Sequence, residues 1–172
     1  QLIIREDGNK IDVNEFLSKL NFQNVNTRLD RWILLEATKK LALKRDNGED
    51  IRLFINQTSN TLQDQTLLPW LSVALKAGNL PPEALIFQFR EEDINDLLKP
   101  AGQFAENLKE TGCQMSIAGY GTNPEPHKAL AHLSPGFIKI AEQYTTALSK
   151  TNNIDPLKEI VSKAAETETK AI

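Results

Sequence analysis

At 172 residues, 40% hydrophobic and 25% charged, the chain has the make-up of one globular domain with a sizeable core, unlike that of a disordered or membrane-spanning chain. Its net charge of -3 provides no general basic field, so duplex nucleic acid is not an expected partner and any nucleotide must be held by a few placed groups. The single cysteine, Cys113, excludes an internal disulfide and a cysteine-based zinc site, and it fits a reducing, cytoplasmic setting.

The first residues do not read as a signal peptide, and no apolar run approaches the roughly 18 residues that a spanning helix needs. In chain order, the apolar run Leu2 to Ile4 predicts a strand, followed by a turn at Asp7-Gly8-Asn9 and a helical pattern around Asn14 to Leu20. From Thr27, the positions Leu29, Trp32, Ile33, Leu35, Ala37, Leu41 and Ala42 recur at spacings that predict a long amphipathic helix, closed by Gly48. Ile51 to Asn56 predicts a buried strand, Leu67 to Ala77 a helix, Pro81-Pro82 a break and Ala84 to Phe89 a second buried strand. A helix from about Pro100 to Thr111 is expected to stop at Gly112 in a left-handed cap. There follow a strand Gln114 to Ala118, a short helix near His127 to His132, a strand Gly136 to Ala141, and helices at about Gln143 to Ser149 and Pro156 to Ala165. Lys170-Ala171-Ile172 looks like the start of another strand, and the tail Glu166 to Lys170 is expected to be solvated.

Five nearly apolar strands alternating with helices predict an α/β fold with a parallel sheet covered by helices. No glycine-rich phosphate loop follows a strand, as a dinucleotide-binding sheet would require. Polar residues instead gather at the C-terminal ends of separate strands: Arg5, Asn56, Gln88 with Glu91, Gly119-Tyr120-Gly121 and Lys139. In a parallel β/α barrel those ends form the ligand-binding face. His127 and His132 do not share the close helical face of paired metal ligands and are expected at the surface. Cys113 reads as a small apolar residue entering a strand, and Gly119-Tyr120-Gly121 as either a flexible turn or a close approach to ligand.

Several segments carry a family resemblance. Gln1-Leu2-Ile3-Ile4-Arg5 resembles the Glu-Ala-Leu-Leu-Arg opening of EAL domains, and Leu29-Asp30-Arg31-Trp32-Ile33-Leu34 resembles their Leu-Asp-x-Trp-Val-Leu helix start. Asn56 stands in the place of the asparagine of the Val-Asn-Leu-Ser strand. Gln88-Phe89-Arg90-Glu91 resembles Glu-Ile-Thr-Glu, Ala118-Gly119-Tyr120-Gly121 resembles Asp-Asp-Phe-Gly, and Phe137-Ile138-Lys139-Ile140-Ala141 resembles the Leu-Lys-Ile-Asp strand. The resemblance covers essentially residues 1–172 as one degenerate EAL domain and implies a TIM-like β/α barrel, here incomplete, with strands missing at both ends. It also implies that active members hold divalent cations on carboxylates at these positions. Gln1 and Gln88 are neutral amides, and Ala118 and Gly119 offer no side-chain oxygen.

By the resemblance, the chain is expected to be a catalytically inactive receptor for cyclic di-GMP, with no resident metal or cofactor and no catalytic residue. Arg5 would contact a phosphate, Ile3 would pack beside the nucleotide and Asp30 would accept from a guanine edge, with Asn56, Glu91 and Lys139 completing the polar set. Other roles stay open: Arg5 pairing with a carboxylate at the rim, Asp30 serving a helix dipole, and Lys139 snorkelling to the rim or pairing with Glu91. Leu68-Pro69-Trp70-Leu71-Ser72-Val73-Ala74-Leu75-Lys76-Ala77 and Leu85-Ile86-Phe87-Gln88-Phe89 are similar to the FimX-type regulators of type IV pili and twitching motility, which implies a PilZ-domain adaptor as partner. The alternatives are a nucleotide-independent interaction scaffold and a residual phosphodiesterase.

Overall fold

A computed structural model describes residues 4–6, 9–11, 23–123, 125–151 and 153–172, with the side chains of these from Val25 onward except Thr151. The helix expected around residues 14–20 lies outside these. Strands β1 (Ile4–Glu6) and β2 (Asn9–Ile11) pair antiparallel, with Ile4 opposite Ile11. Among the described residues, this start of the chain does not pair with the main sheet, where the count of five placed a strand; Leu2 and Ile3 of the first apolar run lie outside the described residues. That fifth place is taken by β7 (Lys170–Ala171), which pairs in parallel with β6.

From residue 23 the chain alternates. Helix α1 (Gln23–Asp46) precedes β3 (Leu53–Asn56), a 3-10 turn (Ser59–Gln63) and α2 (Leu67–Ala77). A second 3-10 turn (Pro82–Ala84) leads into β4 (Leu85–Arg90), then α3 (Glu91–Asp96) and α4 (Leu98–Thr111). β5 (Gln114–Tyr120), α5 (Pro126–Leu133), β6 (Phe137–Ile140), α6 (Glu142–Thr151) and α7 (Asp155–Glu166) follow. Gly112 ends α4 at φ 83°, the left-handed cap that its position predicts.

The sheet order is β3-β4-β5-β6-β7, parallel throughout, and among the described residues β3 and β7 are its two edges. Among the described residues this sheet does not close on itself, as the incomplete barrel expected from the sequence would not. Because strand side chains alternate, one set of residues faces the helices and the other faces the concave side. On the helix side, Phe87 and Phe89 are fully buried and both pack on Phe104 of α4, one tilted and one edge-on, with ring centroids 5.9 and 5.6 Å apart. Met115, Ile117 and Ile138 continue that core. On the concave side, Phe54 is 40% exposed, and Asn56, Arg90 and Lys139 are exposed as well. Strands expected to be buried on both faces are thus only partly covered on one, because the sheet stays open.

Helix α1 shows the same difference in detail. Asp30, Leu34, Thr38 and Leu41 form its buried face, at steps of three and four residues. Trp32 and Leu35, read from the sequence as part of one buried stripe, turn outward and are 50% and 38% exposed. The helix also starts at Gln23, ahead of Thr27, so Asp30 sits well inside it and not at its start.

Candidate functional site

Parallel register brings the polar strand tips together on the concave face. Asn56 is the direct partner of Gln88, which is in turn the partner of Ser116. One pleat further on, Arg90 pairs with Ala118 and Ala118 with Lys139. Gln88 Nε2 donates to Asn56 Oδ1 at 2.5 Å, so two neutral carboxamides hold each other at the rim. Arg90 is neutralised locally: it bonds Asp93 at 3.0 and 3.1 Å and pairs with Glu92. Those hydrogen bonds to Asp93 chiefly raise its pKa further. Lys139 is exposed and makes no ion pair among the described residues, so the pairing with Glu91 entertained from the sequence does not form.

Glu91 is occupied elsewhere. It is 2% exposed at the start of α3, where its carboxylate accepts from the backbone N–H groups of Gly121 (3.1 Å), Thr122 (2.8 Å) and Asn123 (2.8 Å) and from the Thr122 hydroxyl (2.8 Å). A buried carboxylate needs such donors, and here they come from the loop that leaves β5. The loop is gripped from its other side as well, because Tyr144 Oη and Gln143 Nε2 both donate to Gly121 O, at 3.0 and 3.1 Å. Gly121 is at φ 94°, and a Cβ there would lie 2.7 Å from the Tyr144 ring, so a glycine is required. Gly119 at φ 70° lies where the β5–β6 register shifts between Ala118 and Tyr120. Tyr120 is fully buried with its hydroxyl 3.0 Å from His127 Nδ1, so His127 is a packing partner and not merely a surface residue. Burial first, then the charge of Glu91 and the neighbouring Tyr144, push the Tyr120 phenol up to about 12.

Asp30 is not among the rim residues. It is 2% exposed on the core face of α1. Its carboxylate accepts from Thr58 N at 3.3 and 3.2 Å, Thr58 Oγ1 at 2.6 Å and Thr61 Oγ1 at 2.8 Å. Burial raises its pKa above the usual carboxylate value, against the pull of these hydrogen bonds. The adjacent Arg31 forks onto Asp64 at 2.8 to 3.2 Å and reaches Thr66 Oγ1. Burial would push the Asp64 carboxyl up, but the Thr66 and Arg31 hydrogen bonds outweigh it and hold Asp64 below the usual value. Neither pair is legible in sequence, because the partners stand 28 to 35 residues apart.

Of the expected ligand-binding residues, the structure thus brings Asn56 and Lys139 to one concave rim, with Gln88 between them. Glu91 and Asp30 are buried behind it. Arg5 lies in β1 opposite Lys10, its side chain outside the described part, and Ile3 lies outside the described residues altogether. A groove of about 670 Å³ opens on the helix side between α2 and α4, lined by Leu68, Gln103 and Phe104, and none of Asn56, Gln88 and Lys139 lines it. Among the described residues the rim offers an ammonium without an ion-pair partner and a pair of amides, a setting for an anion. Among the described residues no group of three or more His, Cys, Asp or Glu side chains converges as a metal site.

A family model described as the EAL domain matches residues 3–172. A FimX EAL domain structure is 36% identical, with a TM-score of 0.87, over 97% of this chain and 67% of that one. The FimX EAL domain from Pseudomonas aeruginosa, solved bound to c-di-GMP, is 36% identical with a TM-score of 0.85, over 95% of this chain and 66% of that one. Among curated proteins, the signaling protein YkoW of Bacillus subtilis is 27% identical over 131 residues, which span 76% of this chain but 16% of that protein. The cyclic di-GMP phosphodiesterase PdeR of Escherichia coli is 22% identical over 136 residues, 79% of this chain and 21% of that protein. No helix among the described residues is long and apolar enough to cross a membrane.

Proposed function

The chain belongs to the EAL-domain family, and from that premise we propose that it is a cyclic di-GMP receptor module that binds the dinucleotide without hydrolysing it. The observation that carries this reading is the charge balance of the concave rim. Among the described residues Lys139 stands there without a carboxylate partner, next to the oxygen-free Ala118, with the Gln88–Asn56 amide pair on the same face one pleat back. Hard divalent cations need anionic oxygens to offset their dehydration, and an unpaired ammonium repels them. A phosphodiester meets the opposite situation, since an ammonium and amide N–H groups are donors to its anionic oxygens.

In this reading Lys139 and Arg5 bind phosphate oxygens, Asn56 donates to the ligand from the rim, and Ile3 packs beside a base. Glu91 acts one step back, by holding the loop after β5. The likeness to FimX EAL domains at 36% identity supports a role in regulating type IV pili and twitching motility from the cytoplasm, through a PilZ-domain adaptor. Calorimetric titration with cyclic di-GMP tests the binding. Replacing Lys139 with Ala is expected to weaken it about tenfold, the equivalent of one charge-assisted hydrogen bond. Arg5→Ala should do at least as much, and wild-type affinity in both variants would remove the phosphate assignment.

One observation favours a second reading, a scaffold independent of nucleotide: Val25, Trp32 and Leu43 of α1 are large apolar side chains 38%, 50% and 65% exposed. Adaptor binding that is equally tight with and without cyclic di-GMP would favour it over the receptor.

A further inference from the structure

Arg90 is the last residue of β4, and strand alternation puts it on the same face as Gln88, two residues before it. Its register partner is Ala118, whose partner is Lys139, so the three make one row across β4, β5 and β6. The middle of that row carries only a methyl group, with a cation on either side. Arg90 and Lys139 are two strands apart, roughly 10 Å at the Cα level, and both are exposed. An aspartate at 118, as in the Asp-Asp-Phe-Gly pattern that this segment resembles, would stand between the two cations as their counter-ion. Alanine leaves that place to an external anion.

The Arg90 guanidinium is held unevenly. Nε donates to Asp93 Oδ2 at 3.0 Å and Nη2 to Asp93 Oδ1 at 3.1 Å, a fork that takes one edge of the group. Nη1 pairs with Glu92. A guanidinium has five N–H donors, and these contacts take at most one each from Nε, Nη1 and Nη2. One N–H on Nη1 and one on Nη2 are left over. The two carboxylates also differ in placement: the Asp93 side chain is 15% exposed and that of Glu92 64%. An exposed ion pair contributes little, so Glu92 is readily displaced, whereas the two-point fork from Asp93 fixes the plane of the guanidinium.

We propose that Arg90 is a ligand-binding residue of the rim. With Lys139 it holds one phosphodiester over Ala118, Asp93 positions its guanidinium by the Nε–Nη2 edge, and Glu92 competes with the phosphate for the opposite edge. The proposal rests on the receptor reading for the identity of the ligand; the row of two cations about an oxygen-free centre is a property of the protein alone.

Two carboxylates on one arginine are thereby given opposite effects, which a merely structural ion-pair cluster would not show. Calorimetric titration with cyclic di-GMP reads them, with a urea midpoint for each variant as the check on folding. Arg90→Ala is expected to weaken binding about tenfold, as for the loss of a charge-assisted hydrogen bond. Arg90→Lys, which keeps the charge but not the fork, should recover only part of that. Glu92→Gln should tighten binding up to about fivefold, and Asp93→Asn should weaken it by a similar factor. Both should lose their effects in an Arg90→Ala background, because they act through that side chain. Arg90→Ala combined with Lys139→Ala should lose less than the product of the two single effects, because both residues hold one phosphate.

Wild-type affinity in Arg90→Ala, or shifts of the same sign in Glu92→Gln and Asp93→Asn, would overturn the proposal. Should the wild type fail to bind cyclic di-GMP, the receptor reading falls, and inorganic phosphate then decides the seat by itself. Saturable shifts of the Arg90 guanidinium NMR signals on adding phosphate, lost in Lys139→Ala, are the result expected. Signals that phosphate leaves in place would overturn the seat as well.

Discussion

Tyr120 and Asp64 are the two side chains whose surroundings make the sharpest statements about pH. The Tyr120 phenol is pushed up to about 12 by burial and by the charge of Glu91. Deprotonation is therefore harder in the folded chain than in the unfolded one. The stability this group contributes is complete below about pH 10, the unfolded value, and is lost as pH rises toward 12. Tyrosinate absorbance should accordingly show Tyr120 ionising together with alkaline unfolding, and Tyr120→Phe should remove that step. Asp64 has the opposite sign: its pKa is depressed, so its contribution is present above the unfolded carboxylate value and is lost as pH falls through the lower folded value. Asp64→Asn is expected to cost about 1–2 kcal/mol at neutral pH, for a part-buried fork with Arg31, in chemical denaturation. The difference should shrink in acid. At this scale the sequence is informative only for rim residues. Asn56, Gln88 and Lys139 are legible because they end apolar runs, and strand alternation in parallel register puts them on one face. Asp30 is not, because its burial depends on Thr58 and Thr61, which are distant in sequence.

At the scale of elements, the loop after β5 shows how far local chemistry depends on non-local partners. The sequence offers Gly119-Tyr120-Gly121 as either a flexible turn or a close approach to ligand. The structure has neither in simple form: Glu91 grips the loop through four hydrogen bonds, and Tyr144 and Gln143 hold Gly121 from the other side. Gly121→Ala combines strain at φ 94° with displacement of Tyr144, so it should lower stability by about 1–3 kcal/mol, read from a urea midpoint. Helix α3 escapes a periodicity reading because six residues, Glu91–Asp96, are too few to show a period, and three of its first positions are acidic. Helix α1 is the clearest element in the sequence, yet its apolar positions are more numerous than its buried face can take. Leu41→Ala, at a fully buried position, is expected to cost about 2–5 kcal/mol, whereas Leu43→Ala, 65% exposed, should change stability by less than about 0.5 kcal/mol.

For the molecule as a whole, the alternation of strand and helix identifies a parallel α/β architecture because it follows directly from where apolar runs and breakers fall. Barrel and open sheet share that alternation, and only the family resemblance separates them in sequence. Among the described residues the main sheet has five parallel strands with two edges, and the likeness to FimX EAL domains identifies it as the wall of a β/α barrel. Its concave side carries a rim with an ammonium that makes no ion pair among the described residues, and no carboxylate at the positions of Gln88, Ala118 and Gly119. Binding of a phosphodiester without its cleavage is what we propose for that rim. The most direct test is a calorimetric titration of the chain with cyclic di-GMP, run with and without magnesium or manganese. Saturable binding heat that the metal leaves unchanged, with no linear dinucleotide formed, is the result predicted. Absence of heat at ligand concentrations far above micromolar, or sustained turnover heat once metal is added, would contradict it.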